Sequence, residues 1–465
     1  MRVLLVVYDN DSYIHHPPIA LTYIASALRN AGHEVSIYSQ DLYHYPESHL
    51  ADYLTHNQFD VVGLSLVAGY YPYQKLIKIS QAINAVPVSK RPYYILGGHG
   101  PSPEPEYYLK VSGADCVVIG EGDITIVSLL DALEHKRDLQ TVKGIAFFKN
   151  GYFIKTPPQP LIEDIDSIPF PAWDLFPMDY YALTRVGTFT KSSERIYEII
   201  SGKGCPFHCN FCYRIDEGYR AHSPDYLIEE IEHLKRGYYI NFILFQDELS
   251  MSSIKRTEDV CHAFIRAKLG IKWGCNGRLN FAKPELLRLM KEAGCCFINY
   301  GIEAVDDEAL RNMNKALTVK QINSGIEATL AEDIHPGFNI IWGNIGETKE
   351  VLRKDVEFLL KYDDQGQVRT IRPVTPYPGS PLYYRAIAEG KLRDCADFYE
   401  NKHINQDLPS VQFTGLSNQD FSKALYEANT ILLENYHKKQ REYALETCRN
   451  LYLENNVSFR GFRQT

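Results

Sequence analysis

"SGKGCPFHCNFCYR", residues 201–214, sets Cys205, Cys209 and Cys212 within eight positions amid glycine, proline and aromatic residues. The run immediately before it, RIYEIISG (195–202), is short and apolar, which predicts a buried strand ending at the cysteines. Further runs of this kind are NFILFQDE (241–248), IKWGCNGR (271–278), CFINYGIE (296–303), HPGFNIIWG (335–343) and VRTIRPVTP (368–376). Amphipathic stretches such as DYLIEEIEHLKRG (225–237) and TKEVLRKDVEFLLKY (348–362) lie between them. Alternating strands and helices predict a parallel sheet. Six units are too few to close an eight-fold barrel, so a partial (β/α)6 barrel open on one side is expected over 194–385. The cysteines then sit at the carboxyl end of its first strand, where such folds place their chemistry.

The same alternation fills the first 135 residues, in RVLLVVY, HEVSIYS, VVGLSLV, YYILGG and CVVIG. Five buried strands with intervening helices predict an α/β domain with a doubly wound parallel sheet over 1–140. Ligands of such sheets bind beyond the carboxyl ends of the strands, near the switch point. Those ends carry Asp9 to Tyr13, Ser65 to Gly69, Gly97 to Pro101, and Glu121 with Gly122. Residues 141–193 hold a hairpin signal, GIAFFKNGYFIK with Asn150-Gly151 at its turn, and a proline-rich stretch expected to wrap a surface as a linker. Residues 386–465 read as a helical region and are expected to cover the barrel mouth and help select the substrate.

The chain has 49 Lys and Arg against 58 Asp and Glu, a net charge of -9, which gives no whole-chain footprint for nucleic acid. No run of eighteen apolar residues occurs, and MRVLLVVYDNDSY lacks the length and cleavage site of a signal peptide, so no membrane span and a cytoplasmic location are expected. Ten cysteines in that compartment are not expected to form a disulfide framework. Seven lie in ordinary segments and read as small buried apolar side chains.

The remaining three need a metal-centred explanation. Zinc takes four closed ligands in separated pairs, whereas an iron-sulfur cubane is held by closely spaced thiolates. Three thiolates leave one iron open to a small molecule; a zinc site or a chance cluster of buried thiols is the alternative. Gly202 and Gly204 allow close backbone approach, and His208 reads as a spacer facing solvent.

Residues 194–385 resemble the radical S-adenosylmethionine (SAM) enzymes. The resemblance implies a 4Fe-4S cluster on Cys205, Cys209 and Cys212, with SAM chelating the open iron and cleaved to a 5'-deoxyadenosyl radical. It places Tyr213 against the adenine, makes Asp247 and Glu248 of FQDELS candidates for the amino group, and makes Glu303 of GIEAVDDEALRNMNK a candidate for ribose or amino group. Arg278 in CNGRLNF suits the carboxylate. IIWGNIGETKE matches the fifth-strand pattern, though Asn344 stands where a small residue or proline is more usual. Each polar residue also has a structural alternative as a helix cap: Asp247 to Ser250 before one helix, and Asp306 or Asp307 in place of Glu303 before another.

The first domain resembles the cobalamin-binding domain of one branch of that superfamily, through PPIALTYIASALRNAGHEVSIYS, VVGLSLVAG, ILGGHGPSPEPEYYL and GADCVVIGEGD. The implied cobalamin contacts are Tyr13, Ser65, Leu66, Val67, Gly97, Gly98, Glu121 and Gly122. A ligand-free Rossmann-like module is the alternative. The D-x-H-x-x-G loop of other cobalamin proteins is missing from YDNDSYIHHPP, which implies cobalamin without a histidine below the cobalt. The combination implies a cobalamin-dependent radical SAM methyltransferase that uses methylcobalamin and the deoxyadenosyl radical on an unactivated carbon. Oxidative cyclisation or rearrangement without methyl transfer, and a non-catalytic cobalamin or metal sensor, are the other readings. The expected partners are a small-molecule, lipid or peptide substrate and an electron donor such as flavodoxin or ferredoxin.

Overall fold

The structure is a computed structural model and describes residues 1–11, 16–183, 190–191, 193–215, 218–456 and 462. Its amino-terminal sheet runs through β1 (Arg2–Val7), β2 (Glu34–Ser39), β3 (Val61–Ser65), β4 (Tyr93–Gly97), β5 (Cys116–Val118), β6 (Ile145–Lys149) and β7 (Tyr152–Lys155). The order is β2-β1-β3-β4-β5-β6-β7, with the first five parallel. The order reverses between β1 and β3, which is the switch point of the sheet. Period-two alternation sends Leu4 and Val6 to one face and Val3, Leu5 and Val7 to the other, so both faces of β1 are buried. Helices Ile19–Asn30 and Gly122–Glu134 cover the second face through Leu21, Leu28, Leu129 and Leu130. Helix Tyr70–Asn84 covers the first through Leu76, Ile79 and Ile83.

The hairpin that the sequence sets apart in 141–193 belongs to this sheet: β6 pairs antiparallel with β5, and β7 with β6. Only the stretch after it wraps over the surface, with Trp173, Met178 and Tyr181 buried against the second domain.

The second sheet consists of β8 (Ile196–Ile199), β11 (Phe242–Phe245), β12 (Lys272–Gly277), β13 (Cys295–Glu303), β14 (His335–Trp342) and β15 (Arg372–Pro373). All are parallel, in the order β15-β14-β13-β12-β11-β8, which is the expected six-stranded partial barrel. A separate antiparallel pair, β9 (Gly202–Cys205) and β10 (Gly218–Ala221), brackets the cysteine loop, with Cys205 opposite Gly218. Helix Pro224–Tyr238 shows why the sequence folds locally as it does: Ser223 caps it, proline opens it, and Leu227, Ile231 and Leu234 recur at helical spacing on its buried face.

The carboxy-terminal region divides. Helix Asn418–Tyr452 lies on the barrel, where Phe421 stacks on Trp342 with centroids 4.4 Å apart. Residues 382–413 do not cover the barrel mouth alone. Leu392, Phe398, Tyr399 and Phe413 join the core under the amino-terminal sheet, and Tyr399 stacks on Tyr73 at 4.6 Å. Their apolar side chains lie opposite the uncovered face of helix Tyr70–Asn84, and burying both surfaces together outweighs a looser cover on the polar barrel rim. Among the described residues no helix is long and apolar enough to cross a membrane.

Candidate active site

The cysteine loop leaves β9 at Cys205, which is half-buried; Cys209 is buried and Cys212 exposed. The loop is fastened from behind. Asn210 donates its backbone N–H to Met313 O at 2.9 Å, and its side chain forms a reciprocal amide pair with Asn344, both bonds 3.0 Å. Asn344, the departure from the family pattern, is fully buried and replaces a small residue with a tie to the loop. A hydrogen bond from Cys212 holds the Cys209 thiol below its ordinary value against the effect of burial, helped by Lys315 and Arg278, while the same bond and burial raise the Cys212 thiol. Among the described residues no three His, Cys, Asp or Glu side chains converge closely enough for one metal ion. A cubane spreads its ligands over separate corners, and three thiols on one loop suit that wider span.

Around the loop lies a buried charged group. The Arg278 guanidinium stacks 3.5 Å from the Phe207 ring centroid and donates to the carbonyls of Lys315 and Ala316, the latter at 3.1 Å. Its buried Nε has no hydrogen-bond partner, so one donor of the fork is left for a ligand. Glu303 closes β13 with a left-handed φ of +69°, beside a register shift in the pairing with β14. That conformation costs a non-glycine residue on the order of 1–3 kcal/mol, a strain characteristic of functional sites. Glu303 Oε1 meets Lys315 Nζ at 2.8 Å. Burial disfavours the Lys315 charge, yet Glu303 and Cys209 keep its pKa above the ordinary value. Asp306 caps the next helix by accepting from Glu308 N and Ala309 N, so that duty does not fall to Glu303.

The two acidic residues after β11 part company. Asp247 is buried and accepts from Ser201 N at 2.5 Å and from Ser201 Oγ, while burial raises its carboxyl to about 6. Ser253, not any of Asp247 to Ser250, caps the following helix. Glu248 is exposed, and its charge adds to the burial that raises the Cys205 thiol. Tyr213 makes an edge contact with His99 at 4.8 Å and receives the His99 Nε2 hydrogen bond on its carbonyl at 3.3 Å. Gly379 closes the other side, where a β-carbon would fall 2.5 Å from Tyr213 Cδ2. His208 is exposed, as expected of a spacer.

A cavity of about 350 Å³ joins the two domains. Ser65, Leu66, Val67, Gly97, Gly98, Glu121 and Gly122 line it from the first sheet, and Lys203, Gly204, Asp247 and Glu248 from the barrel side. Its deep end between sheet and helices is apolar, with Leu5, Ile24, Ile95, Val118 and Ile126, and suits a flat aromatic base. Glycines shape it. At Gly98, φ is +97° and a β-carbon would lie 2.6 Å from Leu66 O; at Gly120 nothing stands within 4 Å of that position, so a side chain there would project into open space. This cradle fits cobalamin. Tyr13 lies outside the described residues. His16 is exposed, and its Nδ1 meets Glu198 Oε1 at 2.6 Å.

Glu121 faces the seam between domains. Its carboxylate lies 3.0 Å from Arg220 on β10 and 3.2 Å from Lys203 on β9, and accepts Ile162 N at 3.1 Å. Asp123 adds a second contact to Lys203 at 3.3 Å. Burial opposes the charge of Glu121, but Arg220 and Lys203 hold its carboxyl below the ordinary range. Sequence reasoning found neither cation, nor Lys315, nor the amide ladder Asn276–Asn299–Asn339 across β12, β13 and β14, with bonds of 3.0 and 2.8 Å. The ladder had a signal, an asparagine recurring in CNGR, INYG and FNII near matching strand positions.

Residues 199–359 match the family model "Radical SAM superfamily" and residues 5–130 the model "B12 binding domain". An uncharacterized methyltransferase of Pyrococcus horikoshii is 30% identical over 403 residues, covering 84% of each chain. An anaerobic magnesium-protoporphyrin IX monomethyl ester cyclase of Cereibacter sphaeroides is 28% identical over 416 residues, 85% of this chain and 63% of that one. The fold is similar to that of the radical SAM methyltransferase TsrM from Kitasatospora setae, solved with cobalamin and a 4Fe-4S cluster bound: the TM-score is 0.68 at 18% identity, over 83% of this chain and 75% of that chain. With both domain models matched, in the order and geometry described, the chain belongs to the radical SAM enzymes that carry a cobalamin-binding domain, and its cofactors are a 4Fe-4S cluster, SAM and cobalamin.

Proposed function

We propose that the protein is a methyltransferase acting on an unactivated carbon of its substrate. The observation that carries this reading is one cavity lined both by the strand ends of the cobalamin sheet and by residues beside the cysteine loop. When bound, the cluster and SAM supply reductive sulfonium cleavage and hydrogen abstraction, and cobalamin supplies a methyl carrier. The chain's own residues hold, orient and shield. Cys205, Cys209 and Cys212 hold three corners of the cluster. Arg278 offers its unpaired Nε to the SAM carboxylate, Glu248 and Glu303 serve its amino and ribose groups, and Tyr213 lies against its adenine. Asp247, bonded to Ser201, braces the strand end from which the cluster loop departs. Ser65, Leu66, Val67, Gly97, Gly98 and Gly122 seat cobalamin, whereas the Glu121 carboxylate serves the seam. Apolar walls keep water from reactive species. A cytoplasmic location and a flavodoxin or ferredoxin as electron donor complete the reading.

Mass spectrometry of the anaerobic reaction tests it: a product heavier by one methylene, with S-adenosylhomocysteine formed beside 5'-deoxyadenosine, is expected. A product of unchanged carbon count overturns methyl transfer. That outcome favours cyclisation or rearrangement, a reading supported by the identity to the Cereibacter cyclase.

A further inference from the structure

A second cavity, of about 860 Å³, opens at the carboxyl ends of β1 and β3, the switch point of the first sheet. It shares Ala20, Leu21, Ser65 and Val67 with the interdomain cavity, so the two are contiguous around the sheet's rim. Asn10 and Asp11 line it from the end of β1; Asn405, Gln406 and Asp407 face them from the carboxy-terminal region. That segment lies outside both matched domains, which span 5–130 and 199–359.

We propose that Asn405–Asp407 forms one wall of the cobalamin site, with the Gln406 side-chain amide hydrogen-bonding the amide-bearing rim of the corrin. The inference rests on the cofactor assignment above. A corrin seated with its tail base against the apolar lining of the interdomain cavity spreads its macrocycle over the adjoining strand ends, and among the described residues this second cavity is contiguous with them. The lining chemistry agrees. The corrin rim carries neutral primary amides, each both donor and acceptor, and amide or carboxylate side chains such as Asn10, Asp11, Asn405, Gln406 and Asp407 are their natural complements. Among the described residues the basic side chain on the lining is His16, already paired with Glu198 at 2.6 Å, and Asp11 and Asp407 face the same space, which disfavours an anionic occupant.

The segment is held in place to do this. His403, just before it, is fully buried, stacks on Phe398 at 5.0 Å and meets the Tyr377 ring edge at 5.3 Å. Burial lowers its pKa to about 4, so it anchors the chain as a neutral ring. Gln406 reaches across to the start of helix Tyr70–Asn84, where a β-carbon on Gly69 would fall 2.8 Å from its Nε2. The Gln406 side chain is exposed, and among the described residues its amide makes no hydrogen bond, leaving both ends for a ligand.

The test uses the full chain and a titration with hydroxocobalamin followed by its visible spectrum, together with the cobalamin retained after gel filtration. Gln406→Ala is expected to raise the Kd about threefold to tenfold, the loss of one or two hydrogen bonds. Lys402→Ala, on the same segment but off the cavity, is expected to bind as the parent does. Because Gln406 is exposed, its replacement leaves the core intact, and an unchanged melting temperature checks this. A Kd unchanged in Gln406→Ala overturns the proposal while the cofactor assignment stands. So does an unchanged Kd with a raised substrate KM, which makes the wall part of the substrate site. A parent chain that binds no cobalamin overturns the assignment itself, and the proposal with it.

Discussion

Replacing Glu121 by glutamine (E121Q) is expected to loosen the joint between the cobalamin sheet and the cluster-bearing hairpin while leaving both cofactor sites built. Glutamine keeps the shape and one acceptor but removes the charge that Arg220 and Lys203 share at 3.0 and 3.2 Å. The side chains are largely buried, 8% exposed for Glu121 and 14% for Arg220, so the loss of the Glu121 charge is felt in a poorly hydrated place, while Arg220 keeps its bond to Ile162 O at 2.7 Å. Breaking such a pair costs about 3–5 kcal/mol, and the value belongs at the low end because Asp123 still serves Lys203. About 3 kcal/mol corresponds to roughly a hundredfold shift in the ratio of docked to undocked hairpin. Two measurements report it. Hydrogen exchange in β9 and β10 is expected to rise in E121Q. On the proposed methyl transfer, the ratio of product to 5'-deoxyadenosine is expected to fall, because radical formation needs only the barrel while product needs both domains in register. Unchanged exchange and an unchanged product ratio in E121Q would refute the reasoning.

Cys209→Ala is expected to abolish iron-sulfur absorbance and 5'-deoxyadenosine formation while cobalamin binding persists, read by anaerobic visible spectroscopy and chromatography; retained deoxyadenosine counts against the cluster site. Gly98→Ala puts a β-carbon 2.6 Å from Leu66 O at φ +97°, so a stability loss of about 1–3 kcal/mol and weakened cobalamin retention are expected from denaturation and gel filtration. Glu230 is fully buried, neither carboxyl oxygen has a hydrogen-bond partner, and burial raises its carboxyl to about 8. The folded chain therefore holds a proton that the unfolded chain releases, and stability falls as pH rises from about 4.5 to 8, by at most about 1.4 kcal/mol per unit. Glu230→Gln is expected to flatten that slope and raise stability at pH 8.5 more than at pH 5, measured by urea denaturation.

What was legible in the sequence is what local pattern carries. Every apolar run named for the two sheets is a strand, because period and length report burial without reference to distant partners. The cysteine loop was legible because its spacing is its chemistry. Pairings across the chain were not. Glu121 reads as a strand-end ligand, yet its partners Lys203 and Arg220 lie on a hairpin more than eighty positions away. Asp247 and Glu248 are adjacent and indistinguishable as letters; only the fold turns one into Ser201 and the other toward the cysteines. The β6–β7 hairpin was visible as a hairpin, but nothing local says that an antiparallel pair would extend a parallel sheet. The carboxy-terminal region reads as helical, as it is over Asn418–Tyr452, but the aromatic residues before that helix name an apolar surface without naming which one.

The Asn210–Asn344 tie has a consequence for electron transfer. Accepting an electron adds a negative charge within a few ångströms of the loop, and a fastening made of ions would strengthen or weaken as that charge arrives. Two neutral amides are nearly indifferent to it. The loop is thereby expected to keep one shape in the resting and reduced enzyme, so that little of the driving force for reduction is lost to rearranging the protein around the iron.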